Sequence, residues 1–186
     1  VPIVMFKEIP MIVHLIAGGG ANAENTKLEL SDTTISISGP ETVLEAMDEL
    51  VLGSIDLGAL EQSKAFEFDV KLPQDVVNET GVTKVTATVT LPELATYTFK
   101  VTQIRYENLP DGLNAELAAK VVEVRVRGSA ALVSKMSKED ITVLVDLTGA
   151  TVGTQRYSAS IQFSDIYKDV GVLGEYMIPA TIKEDK

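Results

Sequence analysis

Cysteine is absent from the 186 residues, and so is tryptophan. Without cysteine there is no disulfide framework and no thiolate chemistry. Histidine occurs once, as His14, so a zinc site built from several His or Cys ligands is excluded. His14 lies on an extended, apolar-flanked segment, and no serine sits in a GxSxG elbow for it to activate. It reads as a surface or edge-strand residue. The carboxylates show no EF-hand spacing. Aromatic residues are only 5% of the chain, which argues against a carbohydrate site walled by exposed rings. No long hydrophobic run exists. Met11 to Ala17 is interrupted by His14 and is far short of the roughly 20 residues a spanning helix needs. Positive charge is scarce in the first half. Residues 1–94 carry five Lys and fifteen Asp or Glu, a balance of −10, whereas residues 95–186 are near neutral at −1. Nucleic-acid binders present a basic footprint that neutralises phosphates, and the first half is the opposite of that. It is equally unsuited to anionic lipid headgroups.

What is present is a stretch that occurs twice. The first copy, ISISGPETVLEAMDELVLGSIDL, runs from Ile35 to Leu57, and the second, VRVRGSAALVSKMSKEDITVLVDL, from Val124 to Leu147. Gly39 matches Gly128 and Met47 matches Met136, 89 positions apart in each case, and Asp56–Leu57 matches Asp146–Leu147 at 90. That period is too long for a solenoid unit and suits a duplicated small domain. The expectation is two tandem domains, residues 1–94 and 95–186, joined near Pro92 to Thr96. The chain begins at Val1 rather than methionine, which reads as a fragment of a longer protein.

Within each copy the pattern is strand-rich. Val4 and Phe6, then Met11, Val13 and Leu15, alternate around Pro10, which suits only a strand edge or start. Gly18, Gly19 and Gly20 read as a flexible hairpin tip. A phosphate cradle would need a helix N-terminus after the glycines, which is missing here. Gly39-Pro40 breaks a strand, and Val43, Leu44, Met47 and Leu50 or Val51 then follow at helical spacing. Phe66 to Leu72 and Val85 to Leu91 alternate as half-buried strands. In the second copy Ser129 is a candidate N-cap, ahead of an inner face of Leu132, Val133 and Met136. Alternating strands over Tyr157 to Phe163 and Tyr176 to Ile182 follow. The fold class expected is all-β, strand-dominated, with one short helix per domain.

The residues that could carry a role are few. Asp56 and Asp146 each end a strand, where aspartate ordinarily accepts hydrogen bonds from the next turn. Arg125 and Arg127 share one strand face opposite Val124 and Val126. With Arg105 and Lys120 they form a candidate patch for an acidic partner, weighed against a solvated strand face. No catalytic, metal or cofactor residues are assigned, and no cofactor is expected.

The segments ISISGPETVLEAM with SIDL, and VRVRGSAALVSKM with VDLTG, resemble the YbbR domain. FKEIPMIVHL, VKLPQDVV, VTKVTATVTL and EYMIPATI are similar to its flanking strands. The resemblance covers nearly the whole chain as two copies. The second departs at Ser129, which stands where Pro40 does. It implies two small twisted sheets per domain, like the C-terminal part of an L25-type ribosomal protein. It also implies a non-enzymatic regulator associated with a membrane diadenylate cyclase, the source of cyclic di-AMP. Such a protein would stand on the extracytoplasmic face of a bacterial, Gram-positive-type membrane, behind an N-terminal transmembrane helix outside this sequence. The other reading kept open is a cell-surface or wall-binding structural module.

Overall fold

The computed structural model describes residues 3–185. The chain divides into two compact units, one of residues 1–17 and 22–92, the other of residues 18–21 and 93–186. The expected boundary at 94/95 compares with an observed division between Pro92 and Glu93, and residues 18–21 group with the second unit.

In the first unit the strands are β1 (Val4–Ile16), β2 (Lys27–Leu30), β3 (Thr34–Pro40), β4 (Leu50–Asp56), β5 (Lys64–Asp69), β6 (Val77–Asn78) and β7 (Lys84–Thr90), with one short helix, α1 (Glu41–Glu45). They form two sheets, β4-β1-β3-β6 and β2-β7-β5. Strand β1 runs through Pro10 without a break. Its first half pairs antiparallel with β3, as far as Pro10 opposite Thr34. From Met11 onward it pairs parallel with β4 on its other edge. Proline, which has no N–H to give a ladder, thus sits where the strand changes partners.

The second unit contains β8 (Leu94–Val101), β9 (Ile104–Glu107), β10 (Leu113–Leu117), β11 (Val122–Ser129), β12 (Ile141–Asp146), β13 (Gly153–Phe163), β14 (Gly171–Leu173) and β15 (Tyr176–Glu184), with the short helix α2 (Ala130–Val133). Its sheets are β10-β15-β13-β12-β9 and β14-β11-β8. Matching the strands in order shows one topology cut in two places. The pair β8 and β9 does the work of β1: β8 is antiparallel to β11 and β9 is parallel to β12. In the second unit β12 pairs with β13 along Ile141–Val145. The equivalent β4 and β5 fall in different sheets. There, β4 carries an irregularity opposite Ile12/Val13, and the ring of Phe68 from β5 lies against Gly53, where an added Cβ would come within 2.6 Å of it. A ring over a glycine takes the place of a ladder.

Each unit has its own core. Ile9, Met11, Ile35, Ile37, Leu44, Leu50, Val76 and Val85 form one cluster, so α1 and strands of both sheets close on a single interior. Val124, Val126, Val133, Ile141, Val143, Val145, Ala180 and Ile182 lie at the centre of the other. Burying one such side chain fully is worth about 1.5–3 kcal/mol. Alternation marks these strands clearly: in β7, Val85, Ala87 and Val89 are wholly buried, and threonines face outward between them.

The helical spacing over-reads the helix. α1 ends at Glu45, and Leu50 and Val51 belong to β4. Five residues cannot hold a helix alone. Leu44, fully buried, pins it, and Lys7 donates from Nζ to the Leu44 carbonyl at 3.0 Å. Pro40 stands at the N-cap rather than inside the helix, and neither it nor Ser129 makes a side-chain cap hydrogen bond.

Candidate functional site

The repeated residues hold corresponding places. A Cβ on Gly39 would lie 2.8 Å from the Asp75 carbonyl oxygen, and one on Gly128 would lie 3.1 Å from methyls of Val133 and Val170. Both glycines let a neighbouring segment approach the end of a strand. Leu57 and Leu147 are wholly buried, Met136 is buried, and Met47 is half-buried against the first core.

Asp56 and Asp146 serve the turns that follow them. Asp56 Oδ1 accepts from the Gly58 N–H at 2.8 Å. Asp146 Oδ1 accepts from the Thr148 N–H at 3.0 Å, the Thr148 hydroxyl at 2.6 Å and the Asn108 amide at 2.9 Å. The Thr148 hydroxyl, then the Asn108 amide, hold the Asp146 carboxyl below its ordinary value. Each aspartate lies in its own unit.

The four cations do not form one exposed patch. Arg105 is exposed on β9, at the edge of the five-stranded sheet, and Lys120 is exposed in the connection between β10 and β11. Arg125 is half-buried on β11, and its backbone N–H donates to the Tyr176 hydroxyl at 2.8 Å. Arg127 is 1% exposed, which removes it from any solvent-facing patch. Arg125 and Arg127 share a strand face, as alternation requires, and Arg127 is capped by the turn at residues 18–21. Its Nε donates to the Gly19 carbonyl at 2.7 Å and its Nη2 to the Gly18 carbonyl at 3.1 Å. Burial pushes the guanidinium below its ordinary value, and two carbonyls aligned with its fork compensate that desolvation.

This cradle is the feature the glycine run conceals in the sequence. Gly18 and Ala21 exchange backbone hydrogen bonds at 3.0 Å, and Gly19 and Gly20 turn between them with φ of +55° and +75°. Those angles are the signature of a tight two-residue hairpin, so the expected hairpin tip is a tight turn, packed against β11 and β14. The fit is close. A Cβ on Gly171 would lie 1.8 Å from the Gly20 nitrogen, and one on Gly20 would lie 2.1 Å from the Arg127 carbonyl oxygen. Gly20 and Gly171 therefore make a backbone-on-backbone contact, against the Arg127 carbonyl and the turn itself, that no larger residue at either position allows. The positive φ requirement could be anticipated from a glycine run; its partner, more than a hundred residues away, could not.

Among the described residues no cluster of three or more His, Cys, Asp or Glu is placed to hold a metal. His14 is exposed on β1, opposite Ser54 of β4. Among the described residues no helix is long and apolar enough to cross a membrane.

Residues 99–183 match the family described as YbbR-like protein. A curated relative, the CdaA regulatory protein CdaR of Bacillus subtilis, is 23% identical over 145 residues. The matched part covers 76% of this chain and 30% of the relative's length. Among solved structures, a YbbR-like domain from Listeria monocytogenes is 19% identical, with 50% of this chain and 96% of that chain covered at a TM-score of 0.41. A YbbR-like protein from Streptococcus pneumoniae is 12% identical, with 98% and 96% covered at a TM-score of 0.33.

Proposed function

Because residues 99–183 match the YbbR-like family, we propose that the chain is a non-enzymatic regulatory module. It acts by protein–protein contact on a membrane diadenylate cyclase, from the extracytoplasmic side. The observation that carries this reading is the relationship to a CdaA regulatory protein across 145 residues, a length that exceeds either unit of this chain. The arrangement described above agrees with it. The conspicuous polar groups, Asp56, Asp146 and Arg127, are engaged in holding turns, which suits a scaffold that presents surfaces to a partner. The first unit, with fifteen Asp or Glu against five Lys over residues 1–94, supplies a predominantly acidic surface for recognising such a partner.

The test is co-expression of the protein with the diadenylate cyclase of the same cell. Cyclic di-AMP is measured with and without the module, and the cyclase is recovered by affinity purification of the module. The reading expects a changed cyclic di-AMP level and recovery of the cyclase. An unchanged nucleotide level together with absence of the cyclase from the purified material overturns it. Protease accessibility of a tag in intact and lysed cells tests the side of the membrane: cleavage in intact cells is expected.

A further inference from the structure

The cradle of the second unit has a counterpart in the first. Register places Thr96, Arg127 and Gly171 side by side across β8, β11 and β14. The same register in the first unit places Phe6, Ser38 and Val77 side by side across β1, β3 and β6. In the second unit the β-turn of residues 18–21 sits on this row. In the first unit the outer positions of the row are exposed, Phe6 at 71% and Val77 at 56%, with Ile3 and Val4 exposed beside them, while Ser38 between them is buried at its hydrogen bond to Glu79. A shallow cavity of about 220 Å³ opens there, bordered by Ile3, Val4, Gly39, Pro40, Asp75 and Val77. Singly exposed apolar residues are ordinary, but a contiguous set is not.

The two rows differ at the positions that decide what fits. Gly171 admits the backbone of a glycine turn; Val77 in its place blocks that approach. Arg127 supplies donors to turn carbonyls; Ser38 is short, and its hydroxyl donates to the Glu79 carboxylate. The open row thus offers apolar contact where the other offers a polar fork. Its surroundings are acidic, with Glu8 on the same strand face as Phe6, Asp75 at the cavity and Glu79 bound to Ser38.

We infer that this row is a turn-docking site that takes a β-turn of a partner polypeptide, one bearing an aliphatic side chain flanked by lysine or arginine. The aliphatic group enters the cavity beside Gly39 and Pro40, and the flanking cations meet the carboxylates. Ser38 and Val77 set this preference, as Arg127 and Gly171 set the preference of the second row for a glycine turn. The inference goes beyond the regulatory reading and does not need the cyclase.

The probes are short disulfide-closed hairpin peptides titrated into the isotope-labelled chain and followed by amide NMR. A leucine turn flanked by lysines is expected to shift Phe6, Ser38 and Val77 and to leave residues around Arg127 unmoved. The same turn flanked by glutamates is expected to bind several-fold more weakly, and a glycine turn not to shift the row. Phe6→Glu or Val77→Glu, both at exposed positions, removes the shifts while the rest of the spectrum stays in place. In the double variant Ser38→Arg, Val77→Gly the preference reverses toward the glycine turn. Absence of shifts at the row, equal response to lysine- and glutamate-flanked turns, or shifts that persist in both glutamate variants overturns the inference.

Discussion

Arg125 and Arg127 show how differently two like residues on one strand face can be used. Arg127 is buried against two carbonyls of the 18–21 turn, so removing it strands both acceptors. Arg127→Ala is expected to destabilise the second unit by about 3 kcal/mol, read as a lowered urea midpoint. Arg127→Lys keeps the charge but loses the fork that spans both oxygens, and its expected cost is smaller, about 1–2 kcal/mol. Tyr157 presents the reverse case. Its hydroxyl is buried and has no hydrogen-bond partner among the described residues, a condition that costs stability. Tyr157→Phe is therefore expected to keep or raise the melting temperature, with a gain of up to about 1 kcal/mol. For Asp146 the folded carboxyl titrates below its ordinary value of 3.8, the Thr148 hydroxyl being the largest cause. Its contribution to stability is thus present above that pH and is lost as the pH falls through the lower, folded value. Asp146→Asn is expected to be less stable than the parent at neutral pH, with the difference narrowing below pH 3.8 in urea midpoints measured across the range.

Among whole elements, the turn and strand β14 depend on glycine for two separable reasons. Gly20 and Gly112 both have φ near +75° to +77°, so alanine at either carries the left-handed penalty of about 1–2 kcal/mol. At Gly112 a Cβ meets nothing within 4 Å, whereas at Gly20 and Gly171 it strikes backbone. Gly20→Ala and Gly171→Ala are expected to exceed Gly112→Ala in cost, and thermal melts of the three variants check the order. This separation also marks the limit of what the sequence discloses. β7 and β12 were legible because one face is buried along their whole length, which imposes strict alternation. The repeat exposed the shared positions Gly39, Gly128, Asp56 and Asp146. β6 and β14, two and three residues long, are too short to establish a period. The helix was over-extended because Leu50 continues the spacing of Leu44 and Met47 while starting a strand. The burial of Arg127 was hidden because nothing near it in the sequence distinguishes it from Arg125; its cover comes from residues 18–21.

Across the whole molecule, the two separate cores and the lopsided charge lead to a single experiment. Each unit closes its own interior, so unfolding is expected to show two transitions rather than one cooperative step. The first half carries −10 and the second −1. Self-repulsion within an acidic unit opposes compaction and is screened by salt, with a Debye length of about 10 Å at 0.1 M and about 3 Å at 1 M. Among the described residues of the first unit, the pairs Lys27–Glu29 and Lys84–Glu67 lie at largely exposed positions, and Lys7–Asp48 joins a half-buried lysine to an exposed aspartate; such pairs contribute little against it. Raising sodium chloride from low concentration to 1 M is therefore expected to raise the transition of the first unit more than that of the second. Calorimetry can assign the two by using Arg127→Ala to displace the second. If both transitions move together with salt, the charge imbalance has no bearing on stability. If Arg127→Ala displaces the salt-sensitive transition instead, the assignment of residues 18–21 to the second unit is wrong.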